Sequence, residues 1–386
     1  MPTIPLALSW FAAHLLEDIL PHWLAAAPTK SGLLWPSVDR QWRRTGSPEG
    51  TLVSQGRLLH NFATGYALTG EQAYADAVAD GAEFLMTAMR DGLHGGWYWS
   101  CSADGAVIDD KKDSYGHAFV VFGLSHAAAC LGDDRCRRAA LDAWETLSGP
   151  LRDVHGGLIP ALTADFSAPA GRAINSQNPM MHCFEALLAL GDLPGLGHIH
   201  VRAREIADFL LSRRSPQTGG ALAEMYTEDW QPIPTSQRGR VDIGHQFEWA
   251  FLLSSAVERG LGEGYLRAGL ELLDYGLLVG YDAEEGGIHA DASLEGEVIR
   301  PDKGWWQQCE AVRAMLHYAL VRGREDLWEP LQGMMRFIRR EMVDSEYGGW
   351  YAGPGLEKGN VWKVDYHVVG MCAEAIRLQE WAGGVS

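Results

Sequence analysis

Six polar residues recur at a near-constant interval along this 386-residue chain: Arg57, His117, His182, His245, Gln307 and His367, separated by 60, 65, 63, 62 and 60 residues. Their settings are alike, reading GRLLHNF, GHAFVVF, MHCFEAL, GHQFEWA, WQQCEAV and YHVVGMC. Histidine is the side chain best suited to proton transfer near neutral pH. Two histidines across one cavity can address two positions, or two faces, of a single carbon. One histidine at a helix start is most often a hydrogen-bonded core residue. Four in register with an arginine and a glutamine point to a site.

A second row stands three residues further on: His60, Val120, Glu185, Glu248, Glu310 and Gly370. Residues three apart share a helix face. His182 with Glu185, His245 with Glu248, and Gln307 with Glu310 are therefore expected to project together. Three carboxylates at one depth repel unless paired, and Arg57 is one expected partner. A carboxylate on one ring nitrogen also fixes a histidine's tautomer.

These positions call for repeated elements. Each unit reads helix, short turn, helix, long loop. Leu58, Leu59, Phe62, Tyr66 and Ala67 fall on one helical face, and Gly70-Glu71 leads into a second helix with Tyr74, Val78, Phe84 and Leu85. The helices are expected at 6–26, 55–69, 115–131 with 134–149, 180–190 with 198–213, 243–260 with 263–280, 304–322 with 325–342, and 364–382. Each long loop opens on a glycine pair: Gly95-Gly96, Gly156-Gly157, Gly219-Gly220, Gly286-Gly287 and Gly348-Gly349. Glycine admits positive φ and close backbone approach. Asp104-Gly105 within GGWYWSCSADGAVI marks a hairpin. Twelve helices in six pairs predict an all-α fold, an (α/α)6 barrel, with short β-hairpins at the rim where the inner helices begin. The repeat ties 1–386 into one domain. An open helical solenoid is the competing architecture.

Composition narrows the partners. A formal charge of −18 argues against nucleic acid or an anionic membrane. No segment has the run of roughly 18 uncharged apolar residues of a membrane span. IPLALSWFAAHLL lacks a basic leader, and Glu17 and Asp18 follow at once, so it reads as an amphipathic helix rather than a signal. Six scattered cysteines without a C-x-x-C pair read as reduced thiols of a cytoplasmic protein, with Cys130 and Cys136 the one conceivable bridge. His198-Ile-His200 has the form of a metal pair but no adjoining carboxylate cluster, so no metal is expected. Phosphate-loop, serine-elbow and dinucleotide-loop motifs are absent from the sequence. Aromatics crowd the expected rim: Trp97, Trp99, Tyr115, Tyr226, Trp305, Trp306, Trp350, Trp362 and Tyr366. Flat rings with polar edges suit the C–H faces of a sugar.

The strings SQGRLLHNF, HGGWYWS, DSYGHAFVVFGL, NPMMHCFEAL, GHQFEWAFLL, KGWWQQCEAV and WKVDYH resemble the N-acylglucosamine 2-epimerase superfamily, from about residue 50 onward. The superfamily includes cellobiose and mannose 2-epimerases, mannose isomerases and sulfoquinovose isomerases. The resemblance implies an (α/α)6 barrel and cofactor-independent proton abstraction beside the carbonyl of an opened sugar. It makes His245 and His367 the two catalytic bases and His182 the aid to ring opening. Arg57 would hold the carbonyl oxygen. Glu248 and Glu310 would orient histidines or bind hydroxyls, and Tyr115, His117, Asn178, Trp305 and Trp306 would complete the substrate contacts. The Glu-Trp of GHQFEWA and the Met-His of NPMMHCFEA resemble the isomerases. The Trp-Trp of KGWWQQCEA resembles the 2-epimerases.

The expected activity is interconversion of a free aldohexose of the mannose type and its ketose through an enediol. A sugar 2-epimerase using the same two histidines is the alternative. A glycoside hydrolase would need two carboxylates flanking a bond, with Glu248 and Glu310 the candidates. A non-catalytic sugar-binding module would not call for opposed histidines. The sequence leaves the oligomeric state open, a homodimer included.

Overall fold

The computed structural model describes residues 8–170, 174–214, 218–353 and 357–384. The expected helix start at 6 thus lies outside the described residues. Helical structure over 9–26 (α1) consists of Ser9–Ala13 and Leu20–Ala26 joined by a π-helical stretch, His14–Ile19. Five pairs follow. They are Leu52–Thr69 (α2) with Gln72–Thr87 (α3), Ser114–Leu131 (α4) with Asp134–Ser148 (α5), Gln177–Gly191 (α6) with His200–Leu211 (α7), Ile243–Glu258 (α8) with Gly264–Gly280 (α9), and Trp305–Val321 (α10) with Trp328–Phe337 (α11). A π-helical turn, Ile338–Met342, extends α11, and Tyr366–Gly384 forms α12.

Helices α2, α4, α6, α8, α10 and α12 pack side by side in sequence, and α12 returns to α2. That closure makes a barrel and rules out the open solenoid. The inner helices are buried almost all round. In α4, only a few of the residues between Ser114 and Ala128 reach solvent. The outer helices bury one stripe, as in α5 with Cys136, Ala139, Ala140, Ala143 and Leu147. Helices α2 and α4 approach closely at Gly56 and Gly123, where a Cβ on Gly123 would stand 2.7 Å from Gly56 Cα.

Helix α6 begins three residues before its expected start. Ser176 caps it by accepting from Asn178 N at 3.1 Å, and Pro179 falls in the first turn, where its missing N–H costs nothing. Thr51, Asp113 and Asp242 cap α2, α4 and α8 in the same way. All four caps end short strands: Glu49–Thr51 (β1), Lys112–Asp113 (β4), Asn175–Ser176 (β6) and Val241–Asp242 (β8).

Each of these strands pairs, antiparallel, with one from the next long loop: Ser100–Ser102 (β2), Ala161–Leu162 (β5), Met225–Tyr226 (β7) and Asp291–Ala292 (β9). Val107–Asp109 (β3) and Val298–Arg300 (β10) add outer strands. The loops therefore stitch each repeat to its neighbour at the rim. The glycine pairs turn the chain there with positive φ, except Gly157, where a Cβ would collide with the Trp230 ring. An aspartate a few residues before the pair closes most of these turns. Asp91 and Asp344 take buried Lys112 and Lys358, and Asp282 takes Lys303. All six cysteines are free. Among the described residues no helix is long and apolar enough to cross a membrane.

Candidate active site

A cavity of about 350 Å³ opens at the capped ends of the inner helices. Four of the six ring residues line it: Arg57, His182, His245 and His367. Tyr115, Asn178, Trp305 and Trp306 line it as well, with Trp362 at the mouth. The other rim aromatics have packing roles. Trp97, Trp350 and Tyr226 are buried in the core, and Tyr366 donates to Glu185 beneath the cavity.

The two remaining ring positions depart from expectation. His117 does not reach the cavity. Its Nδ1 meets Asp113 O at 2.7 Å and its Nε2 accepts from Trp97 N at 3.0 Å, so both nitrogens are spent on backbone. Burial pushes it down to about 4, and it is a neutral structural residue rather than a substrate contact. Gln307 is buried in α10 beside the rim glycine Gly304, outside the cavity lining.

Each catalytic candidate leans on its own carboxylate. His182 Nδ1 lies 3.1 Å from Glu185 Oε2, the i to i+3 pair expected from sequence. His367 Nδ1 lies 2.7 Å from Glu310 Oε1, an inter-helix pair between α12 and α10. His245 does not use Glu248. Its Nδ1 lies 2.7 Å from Glu224 Oε2, a residue outside the repeat. In all three the Nδ1 contact leaves Nε2 without a hydrogen bond among the described residues, and His182 Nε2 stands 3.9 Å from Glu248 Oε1. The Trp306 ring packs against both His245 and His367, with centroids 4.8 and 5.5 Å away.

Glu224 was not visible in the helical pattern because it belongs to a loop, just ahead of β7. Strand pairing of β6 with β7 brings it to the start of α6, where Ser176 Oγ and Gln177 Nε2 donate to it, each at 3.0 Å. Arg240, Asp242, Asn360 and Lys363 also line the cavity from rim segments that carry no periodic signal. Asp242 could have been read as a cap, since it stands directly before the apolar face of α8.

Arg57 is not the partner of the buried carboxylates. It donates to Trp362 O at 2.7 Å and to Tyr115 Oη at 2.9 Å, and it lies over the Phe119 and Tyr366 rings. That fixes its guanidinium at the cavity wall with donors left over. The cation near the carboxylates is Arg313, whose Nη1 lies 3.7 Å from Glu310 Oε2. Glu248 and Glu310 are fully buried and sit below the cavity lining rather than in it.

The histidines differ in protonation. Burial opposes a proton on His245, but the Glu224 and Asp242 carboxylates overcome it and raise the group to about 10. Burial, reinforced by Arg57 and His182, holds His367 well below the ordinary histidine value. His182 is lowered chiefly by burial. Burial also lifts Glu310 to about 7 and Glu248 well above the carboxylate range, each crowded by another carboxylate. Near neutral pH the cavity thus presents a protonated His245, a neutral His367 and a fixed guanidinium. Such a set can take a proton from carbon, return one, and hold an oxyanion.

Two groups of metal-type ligands meet below the cavity and share Glu248: His182, Glu185 and Glu248, and Glu248, Glu310 and His367, each with its ligand atoms within 4.8 Å of one another. Their Nδ1 atoms are engaged by Glu185 and Glu310. The His198 and His200 pair joins no such group among the described residues.

A closed helical barrel with paired histidines and an arginine at its capped rim defines a sugar isomerase or 2-epimerase. The chain belongs to the N-acylglucosamine 2-epimerase (GlcNAc 2-epimerase) family, whose sequence profile matches residues 37–370. It is 26% identical over 349 residues to a D-mannose isomerase of Marinomonas mediterranea, covering 84% of this chain and 86% of that one. It is 23% identical over 384 residues to a cellobiose 2-epimerase of Bacteroides fragilis, covering 94% and 97%. A crystal structure of D-mannose isomerase superposes with a TM-score of 0.89 at 24% identity, covering 96% of this chain and 97% of that one.

Proposed function

We propose that the protein interconverts a free aldohexose of the mannose type and its ketose, without a cofactor, through an enediol. The observation that carries proton transfer at C2 is the charge asymmetry of His245 and His367, whose rings both pack against Trp306. His182, held by Glu185, assists ring opening at the anomeric oxygen. Neutral His367 takes the C2 proton through Nε2. The enediolate oxygen faces the Arg57 guanidinium, and protonated His245 gives a proton to O1 and takes back the O2 hydroxyl proton, so it ends the cycle as it began. Return of the carbon-derived proton to C1 by His367 gives the ketose. The resemblance to D-mannose isomerases in both sequence and structure supports this outcome.

Epimerisation is the second reading, and the protonated state of His245 favours it. If His245 faces C2 from the side opposite His367, it can deliver its proton there and yield the 2-epimer. The similarity to cellobiose 2-epimerases is in keeping with this. Hydrolysis is less well supported. Flanking carboxylates should stand across the substrate, roughly 5–9.5 Å apart. Glu248 and Glu310 instead lie beneath the cavity, with oxygens within 4.8 Å of one another.

Incubation with mannose in D2O, after metal removal, tests the proposal. Fructose carrying deuterium or a transferred proton at C1 supports isomerisation. Glucose without fructose supports epimerisation. Neither product and no exchange with any aldose would sink both.

A further inference from the structure

The barrel has a second cavity, of about 450 Å³, among the C-terminal halves of the inner helices, at the end opposite the sugar site. From its position and the state of its polar groups, we infer that it is a second binding site, for a small organic carboxylate with an apolar body.

Most charged groups that line it are already paired. Arg259 grips Asp192 through Nε and Nη2 at 2.8–3.0 Å. Arg377 grips Glu374 at 2.7 and 2.8 Å and lies 3.7 Å from Glu258. Glu374 also receives His317, and both oxygens of Glu185 are taken by Tyr366, with His182 on one of them.

Arg313 is different. Among the described residues it donates no hydrogen bond, and its Nε is buried without a partner. Its nearest anion is Glu310, at 3.7 Å. The guanidinium lies 3.9 Å from the centre of the Phe251 ring. It fits there because the second-row position of α12 is Gly370, where a Cβ would stand 3.2 Å from Arg313 Nη1. The glycine that broke the second-row pattern thus makes room for a cation.

Two further polar groups face the same space. His60 makes one long contact, 3.4 Å to Asn61, and His126 makes no hydrogen bond among the described residues. Their rings meet edge to face at 4.7 Å. Burial keeps both neutral, so neither competes with Arg313 for an anion. Phe122, Leu188, Phe251 and Leu252 supply apolar wall. One under-used guanidinium, two imidazoles with hydrogen-bonding capacity to spare and an apolar wall fit a carboxylate on a flat hydrocarbon body. With a net charge of −18, the chain offers no general attraction for anions, so binding here must come from this local cation. Arg313 touches Glu310, and Glu310 holds His367, so the site is two contacts from the catalytic histidine.

Calorimetric titration with benzoate, with neutral benzamide as the isosteric control, tests the inference. The full chain should bind benzoate saturably, at least ten-fold more tightly than benzamide. Crystals soaked in 4-bromobenzoate should show anomalous bromine density in this cavity, with the carboxylate on Arg313. Arg313→Met should abolish benzoate binding. Ala129→Trp, which blocks the cavity from an exposed wall position, should do the same while turnover stays unchanged. Equal affinity for benzamide, bromine only in the sugar cavity, or unaltered binding in Ala129→Trp would overturn it.

Discussion

His245 and Glu224 stand 21 residues apart in sequence and 2.7 Å apart in space, joined through Nδ1 and Oε2. The helix supplies the histidine and a rim loop supplies its carboxylate. This contact, with Asp242, keeps His245 protonated in a site where burial would otherwise strip its proton.

Glu224→Gln retains a hydrogen-bond acceptor but removes the charge. The proton on His245 then becomes easier to lose, and kcat should fall by about 10²- to 10⁴-fold, the usual worth of a positioned acid or base. The pH–rate profile should show the basic limb moved towards neutrality. An unmoved basic limb would assign it to another group.

The wild-type profile has a definite sign. Under the proposed mechanism, turnover requires a neutral His367 and a protonated His245. The rate should fall in acid as His367 gains a proton, at a pH below the ordinary histidine value, and fall in base as His245 loses one near 10. Measurement of kcat/KM between these limits should give a broad plateau rather than a narrow bell.

His245→Asn and His367→Asn separate the two outcomes at carbon. Each should lose about 10²- to 10⁴-fold in turnover. If the chemistry is isomerisation by one base, only His367→Asn should abolish exchange of the C2 proton with D2O. If it is epimerisation, each variant should abolish exchange from one epimer and spare the other. NMR of each sugar in D2O reads this directly.

Lys112 and Asp91 form a pair with both side chains buried, 2.7 Å apart, below the first glycine turn. Lys112→Met leaves a buried carboxylate without its cation and should cost about 3–5 kcal/mol of stability. Urea unfolding checks this. Lys112 does not line the sugar cavity, so activity below the melting transition should persist.

Chelation tests the ligand groups that share Glu248. The proposed chemistry is proton transfer by side chains alone, so EDTA followed by gel filtration should leave turnover unchanged. Loss of activity, restored by one particular divalent ion, would make Glu248 a metal ligand instead.

The sequence by itself determined the repeat. A polar residue every sixty-odd positions, apolar stripes at helical spacing and glycine pairs in each loop were enough for twelve helices and a closed barrel, because helix periodicity and turn chemistry are local. The same local logic found His182 with Glu185, which share a turn. It failed at His245, where i+3 named Glu248 and the structure gave Glu224, and at His117, which has the ring's register but spends both nitrogens on backbone. Those outcomes depend on strand pairing at the rim and on which side of an inner helix meets the cavity. Neither has a period along the chain. The charge on each histidine was decided in the same way, since burial and the carboxylates of neighbouring elements set it. Only the closed barrel brings those groups together.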